Sequence, residues 1–227
     1  MKPTITLAET RTPDGARLFL QRHDGHFHMS VEGELLMSTR AWQSEAEMAE
    51  LGCAAFVGGG RKRVLIGGLG FGFTLRRVLE LVGPNVEVEV AELLPVMVEW
   101  NREHLSTVNG RLLDDPRVTI KIADVFAVLG AAPPERYDAV LLDVDNGPVA
   151  MVDRGNGRIY SDNGLRVLSR ALAVGGRAVF WSASTNRGFM RRLIDAGFVA
   201  RSLPAKAYPQ AVRETHTLFV ADWKRPA

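Results

Sequence analysis

The chain has 227 residues, 46% of them apolar, a net charge of +2 and a single cysteine. That is length enough for one large domain with a small appendage, and apolar content enough for a sizeable core. The near-balance of charge gives no compositional support to nucleic-acid binding. The lone Cys53 excludes an internal disulfide and suits a reducing cytoplasm, no apolar run reaches membrane-spanning length, and Met1-Lys2-Pro3-Thr4 does not begin a signal peptide.

Residues 17–40 alternate as strands do. Arg17 to Arg22, His26 to Val31 and Glu34 to Met37 are three short runs, and Asp24-Gly25 and Glu32-Gly33 supply the turns. A sheet of this size is not stable alone, so it is expected to pack on the larger domain or on a second subunit. His26 and His28 share a strand face, but no nearby set of cysteines or carboxylates completes a metal site, and no metal is expected. The division expected is an appendage over residues 1–44 and a main domain over 45–227.

From Glu45 to Phe56 the pattern is helical, and buried packing is expected of Cys53. Strand and helix then alternate to the end. The strands are Arg63 to Ile66, Val86 to Ala91, Arg117 to Ile122, Tyr137 to Leu142, Ala178 to Trp181, a short one at Phe198-Val199, and Thr215 to Ala221. Helices are expected from Phe73 to Leu81, from Pro95 through Leu105 with Trp100 facing the core, from Ser161 to Ala173 with Gly175-Gly176 as its C-cap, and from Gly188 to Ala196. Such alternation implies an α/β fold with a mostly parallel sheet and helices on both faces, in which one of the last short strands can run antiparallel.

The chemistry gathers at strand ends. Gly67-Gly68-Leu69-Gly70-Phe71-Gly72 follows the first strand of this series and opens a helix, so the backbone can approach a ligand closely. Glu92 ends the second strand twenty residues after Gly72, a distance at which an acid accepts hydrogen bonds from ribose hydroxyls. The spacing Gly68-x-Gly70-x-Gly72, with Phe73 in the place of a third dinucleotide glycine, favours an adenosyl ligand over a dinucleotide and disfavours an NAD-dependent oxidoreductase. Asp124 follows the third strand, with Val125 beside it, and can accept from an adenine amino group. Asp143 and Asp145 follow the fourth. Ligands of open α/β sheets bind at these carboxyl ends. Tyr160, in the long loop after Asp143, is a candidate cover for a second substrate. Trp181 ends the fifth strand and is a candidate to line the same pocket. Arg187, Arg191 and Arg192 read as a solvated helix face.

The order Arg63-Val64-Leu65-Ile66-Gly67-Gly68, Val90-Ala91-Glu92, Asp115-Pro116-Arg117-Val118, Asp124 and Tyr137-Asp138-Ala139-Val140-Leu141-Leu142-Asp143 resembles spermidine synthase and its relatives. Those are aminopropyltransferases on the Rossmann-like class I S-adenosylmethionine-dependent methyltransferase fold, with a seven-stranded sheet and a small N-terminal antiparallel appendage that helps subunits associate. The likeness runs from about residue 17 to about residue 182. It implies that Gly67, Gly68 and Gly72 surround an adenosyl donor, that Glu92 holds its ribose and that Asp124 sits beside its base; Gly70 and Val125 are candidates for the same donor site. It further implies that Asp143 binds an acceptor amine and takes its proton, with Asp145 as a candidate second catalytic acid beside it. It also implies a cytoplasmic homodimer or homotetramer.

The departures bear on the reaction. Spermidine synthases carry an aspartate in the glycine turn that holds the free amine of decarboxylated S-adenosylmethionine. Here Gly70 stands there, which suits the carboxylate of the ordinary donor. A Gln and a Tyr that line the family's donor and amine pockets are replaced by Leu36 and Glu45, while Ser38, Arg40, Ser44, Glu47 and Met48 match. The family's Asp-Ser-Ser-Asp-Pro loop reads Asp143-Val144-Asp145-Asn146-Gly147-Pro148. Three functions stay open: alkyl transfer from a donor of the S-adenosylmethionine type to a small amine, with Glu45 aiding a cationic acceptor; small-molecule methyl transfer; and a non-catalytic oligomeric binding protein on the same fold.

Overall fold

In a computed structural model, which describes residues 3–54, 56, 61–144 and 154–224, the chain folds into two sheets. The first is an antiparallel meander of β1 (Ile5–Arg11), β2 (Arg17–His23), β3 (His26–Val31) and β4 (Glu34–Ser38), paired in chain order. Its hairpin turns are those the sequence suggests. Asp24 and Gly25 have φ of 49° and 81°, and Glu32 and Gly33 have 48° and 88°, so both central residues of each turn are left-handed, as the twist of a tight hairpin demands. Strand β1 was not expected. It is an edge strand with only Leu7 and Ala8 packed against the core, so it carries no clear apolar alternation. The inner face of the meander packs on the main domain of the same chain. Leu18, Leu20, Phe27 and Met29 meet Phe71 and Trp100 there.

The main sheet has the order β10-β11-β9-β8-β5-β6-β7. Its strands are β5 (Lys62–Gly67), β6 (Val86–Glu92), β7 (Val118–Ile122), β8 (Tyr137–Leu142), β9 (Leu172–Ser182), β10 (Phe198–Ala205) and β11 (His216–Trp223). Five neighbouring strands are parallel, and β11 is antiparallel to both β9 and β10. The helices are α1 (Gln43–Cys53), α2 (Phe73–Leu81), α3 (Pro95–Glu103), α4 (Ser106–Asn109), α5 (Val125–Ala131), α6 (Asp162–Ala171) and α7 (Arg187–Asp195).

Period-two alternation along the strands feeds two cores. Val64, Ile66 and Leu141 point to the side covered by α1 and α2. Leu65, Val140 and Leu142 point to the side covered by α5, α6 and α7. All six are at most 1% exposed, and each such side chain contributes roughly 1.5–3 kcal/mol by leaving water. Cys53 belongs to the first core, and burial pushes its thiol up to about 12, so it packs rather than reacts. Trp100 is 3% exposed, as a core-facing residue should be. Among the described residues no helix is long and apolar enough to cross a membrane.

Two expectations are corrected. Helix α6 starts on Ser161, whose hydroxyl accepts from the Gly164 N–H, but it ends at Ala171 and runs directly into β9. Gly175-Gly176 is therefore not a C-cap. The register passes from Tyr137↔Leu172 to Ala139↔Arg177, so residues 173–176 bulge out of the ladder, with Gly175 at φ 81°. The sixth strand spans eight residues, because its pairing with β11 compensates for an apolar pattern that fades after Val199. Asp115 and Arg117 have a local task. The guanidinium binds the Asp115 carboxylate through Nε and Nη2 and caps the carbonyls of Leu79 and Val82 at 3.1 and 2.8 Å, tying the entry of β7 to the end of α2.

Candidate active site

The strand order reverses at β5, which has β6 on one side and β8 on the other, and a crevice opens there at the carboxyl ends. The ladder continues past the strand ends and holds the loops in register. Asp143 N–H donates to Gly67 O at 2.9 Å, Gly68 N–H to Ala91 O at 2.8 Å, and Ala123 N–H to Glu92 O at 2.9 Å. Gly68 has φ 91°, and a Cβ there would overlap the carbonyl oxygen of Asp143. Close approach of two backbones, rather than turning alone, is why glycine stands at this position. Gly72 caps α2 in a left-handed conformation. Asn101 Nδ2 donates to Gly70 O at 2.8 Å, so the turn is braced from α3.

Glu92 is buried at 6% exposed. Its two oxygens accept from the backbone N–H of Leu69 and of Leu94, each at 2.8 Å. The glycine turn is thus clamped to the end of β6. Asp124 Oδ1 caps α5 by accepting from Phe126 N–H at 2.8 Å, and its Oδ2 accepts from Arg158 Nη2 at 2.6 Å. The Arg158 guanidinium also lies over the Phe126 ring, 5.3 Å from its centroid. Nothing local in the sequence pairs Asp124 with Arg158, 34 residues away.

One cavity, of about 930 Å³ including its open mouth, joins most of the expected residues. Gly68, Gly70, Glu92, Asp124, Val125 and Asp143 line it, and so do Glu45 and Trp181. Gly67 is not among the lining residues, and a Cβ added there would meet the side chains of Leu142 and Val125. Asp145 lies outside the described residues. Tyr160 does not line the cavity, which corrects its expected role as a cover. It is 3% exposed and packs between Phe180 and Phe189, ring centroids 5.9 and 5.2 Å away. Its phenyl ring gains more from the aromatic core than a surface loop would give it. Arg192 is also not wholly solvated, since its Nε donates to Tyr160 O at 3.1 Å.

The far wall was not legible in the sequence. Leu18, Met29, Leu36 and Met37 of the meander close the crevice from above, and Met97 of α3 adds to them. Their alternation announces a buried face without saying what it faces; only Leu36 carried a signal, as the occupant of a family pocket position. Met37 Cε would stand 3.2 Å from a Cβ on Gly70, so a thioether fills the space beside the turn. Glu45 is half-buried in the first turn of α1, and burial raises its carboxyl above the usual carboxylate range. Ser44 donates to Glu45 Oε2 at 2.7 Å and accepts from Trp181 Nε1–H at 2.9 Å. Among the described lining residues there are four carboxylic acids (Glu45, Glu92, Asp124 and Asp143) and no Lys, Arg or His. Such a crevice attracts cationic ligands. Among the described residues no group of three or more His, Cys, Asp or Glu side chains could hold a metal ion.

The model of the spermine/spermidine synthase domain matches residues 46–186. The polyamine aminopropyltransferase of Mycobacterium tuberculosis (strain CDC 1551 / Oshkosh) is 30% identical over 219 residues, which cover 94% of this chain and 37% of that protein. The chain thus spans little more than a third of that curated relative. Putrescine N-methyltransferase 2 of Nicotiana attenuata is 37% identical over 83 residues, covering 36% of this chain and 22% of its own. A spermidine synthase solved in complex with the transition-state analogue AdoDATO superposes with a TM-score of 0.79 at 20% identity, over 98% of this chain and 75% of that one. At that identity the likeness establishes the fold.

Proposed function

Because this chain belongs to the spermine/spermidine synthase family, we propose that it transfers an aminopropyl group from decarboxylated S-adenosylmethionine to a small amine. The single observation that carries this reading is that, among the described residues, the crevice is lined by four acids and no base. The decarboxylated donor is a dication, with one charge on sulfur and one on its amine. Intact S-adenosylmethionine also carries a carboxylate, for which the described lining residues offer no cation.

In this reading Gly67, Gly68, Gly70 and Gly72 receive the adenosyl group, Glu92 its ribose hydroxyls, and Asp124 with Val125 its base. Asp143, aided by Asp145, binds the acceptor ammonium and removes a proton, which exposes the lone pair. That pair forms the new C–N bond as the C–S bond breaks, and the sulfonium leaves as a neutral thioether. The leaving group is already good, so alignment is the larger part of the task. Glu45 and Trp181 form the acceptor end. Residues 1–44 act as a wall and an association surface, and residues 45–227 as the catalytic domain, in a cytoplasmic protein without metal.

A second reading, methyl transfer from the intact donor, has one observation in its favour. Gly70, packed against Met37, leaves no acid at the turn to hold a free donor amine.

Calorimetry with S-adenosylmethionine, its decarboxylated form, methylthioadenosine and S-adenosylhomocysteine decides between them. The decarboxylated donor should bind at least about tenfold tighter than the intact one, a difference of roughly 1.4 kcal/mol. The reverse order would establish the methyl-transfer reading, and no binding by any of the four would leave a binding protein without a donor site. The outer face of the meander exposes Leu35 at 61%. We place a dimer contact there. Light scattering should give twice the chain mass, and a monomer would remove that assignment.

A further inference from the structure

Ser44 is 1% exposed in the first turn of α1, where a serine hydroxyl ordinarily serves a backbone group. Here both of its hydrogen bonds go to side chains, Glu45 Oε2 at 2.7 Å and Trp181 Nε1 at 2.9 Å. An indole nitrogen can only donate, and a hydroxyl has one proton. The polarity of the relay follows. Trp181 occupies a lone pair of Ser44 and leaves the hydroxyl proton to Glu45. Trp181 in turn is held by its pairing with Leu218 on β11, and its ring packs on that of His216, centroids 4.7 Å apart. Residues 137 apart in sequence therefore converge on one carboxyl group.

Resting on the acceptor assignment above, we propose that Ser44 and Trp181 are positioning residues, which hold the Glu45 carboxyl at the acceptor end and favour the ionised form that binds an ammonium group. Burial and the relay act on Glu45 in opposite senses. Burial favours the neutral acid, and the Ser44 hydroxyl, followed by Glu45's own backbone N–H, opposes it. Glu45 thus stays protonated to a higher pH than an exposed glutamate, and an arriving ammonium displaces that proton. The groups facing Glu45 do not offset this. Across the crevice stand Asp143, Glu92 and Asp124, the meander presents Leu18, Met29, Leu36 and Met37, and β9 presents Trp181. Behind Trp181, His216 has its affinity for a proton lowered by burial. On α1 itself, Glu47 is occupied with Gln43 at 3.0 Å.

The test is a pH titration of the Glu45 carboxyl by carbon-13 NMR, its resonance assigned by loss in Glu45→Gln. Ser44→Ala should move the midpoint upward by roughly one pH unit, since a hydrogen bond to a charged group is withdrawn. Ser44→Thr should restore it, and Trp181→Phe should shift it by less in the same direction. With putrescine as probe acceptor, Ser44→Ala should raise KM about tenfold and leave kcat within about twofold. Donor affinity by calorimetry should be unchanged. An unmoved midpoint in Ser44→Ala, or a loss confined to kcat, overturns the relay. Absence of donor binding in the unaltered protein overturns instead the enzymatic reading, and the titration still decides whether Ser44 holds the carboxyl. Should Ser44→Ala fail to fold, the midpoint in Trp181→Phe decides the same point.

Discussion

Asp143→Asn will lower turnover by roughly 100- to 10,000-fold, the range for removing a positioned general base, and will leave donor affinity within about tenfold. Asparagine has nearly the same shape, and the backbone at this position is anchored independently of the side chain. Its N–H bonds Gly67 O at 2.9 Å, and its carbonyl lies against Gly68. The loop therefore keeps its course. What disappears is the only proton acceptor that the described end of β8 presents to the crevice. Glu92, at the end of β6, and Asp124, at the N-cap of α5, lie on other elements and are untouched. Steady-state rates with a calorimetric donor Kd check both halves. A rate equal to that of the unaltered chain would mean that the ammonium proton leaves by another group.

Gly68→Ala is expected to damage the fold and the donor site together. The added Cβ meets backbone, the carbonyl oxygen of Asp143, and a backbone atom cannot rotate away. The residue must also hold φ near 91°, which side chains resist. The conformational penalty is about 1–2 kcal/mol and the steric one about 1–3 kcal/mol. Together they should lower Tm by roughly 5–15 °C in a chain of this length. Relief comes only if the ends of β5 and β8 part, and that parting pulls the glycine turn from Glu92 and Asp143 at once. Donor affinity should fall by at least about a hundredfold, near 2.7 kcal/mol. Gly70→Ala is the control. Its Cβ would meet the flexible end of Met37 at 3.2 Å, and φ of 50° lies in the left-handed region that side chains occasionally visit. Its effects should be several-fold smaller. Equal behaviour of the two variants in thermal melts and donor titrations would defeat the account of Gly68.

The acid Glu92 joins stability to binding in a way that limits what substitution can report. Its two oxygens satisfy two backbone donors in a nearly closed environment. Removing the carboxylate leaves both N–H groups unpaired, a penalty of about 1–3 kcal/mol for each. Loss of donor affinity in a Glu92 variant therefore mixes the loss of the proposed ribose contact with a displaced glycine turn. Ser44 separates the two effects better, because both of its hydrogen bonds go to side chains.

The sequence by itself determined the alternation of strands and helices, the two hairpin turns, the reversed last strand as one of two options, and the acids at the ends of β6, β7 and β8. These are local properties. A period of two or of 3.6 is written within a dozen residues, and a turn that needs left-handed φ announces itself through glycine. The tertiary structure alone decided which buried face meets which. It made Leu18 and Met29 a wall of the crevice and drew Tyr160 into the aromatic core. It gave Asp124 to both the cap of α5 and Arg158, and joined Ser44 and Glu45 to Trp181. The reason is physical. Alternation records that a side chain leaves water but not what replaces the water. A carboxylate or a hydroxyl in the sequence is equally fit for a cap, an ion pair or a ligand until distant strands are brought within 3 Å of it.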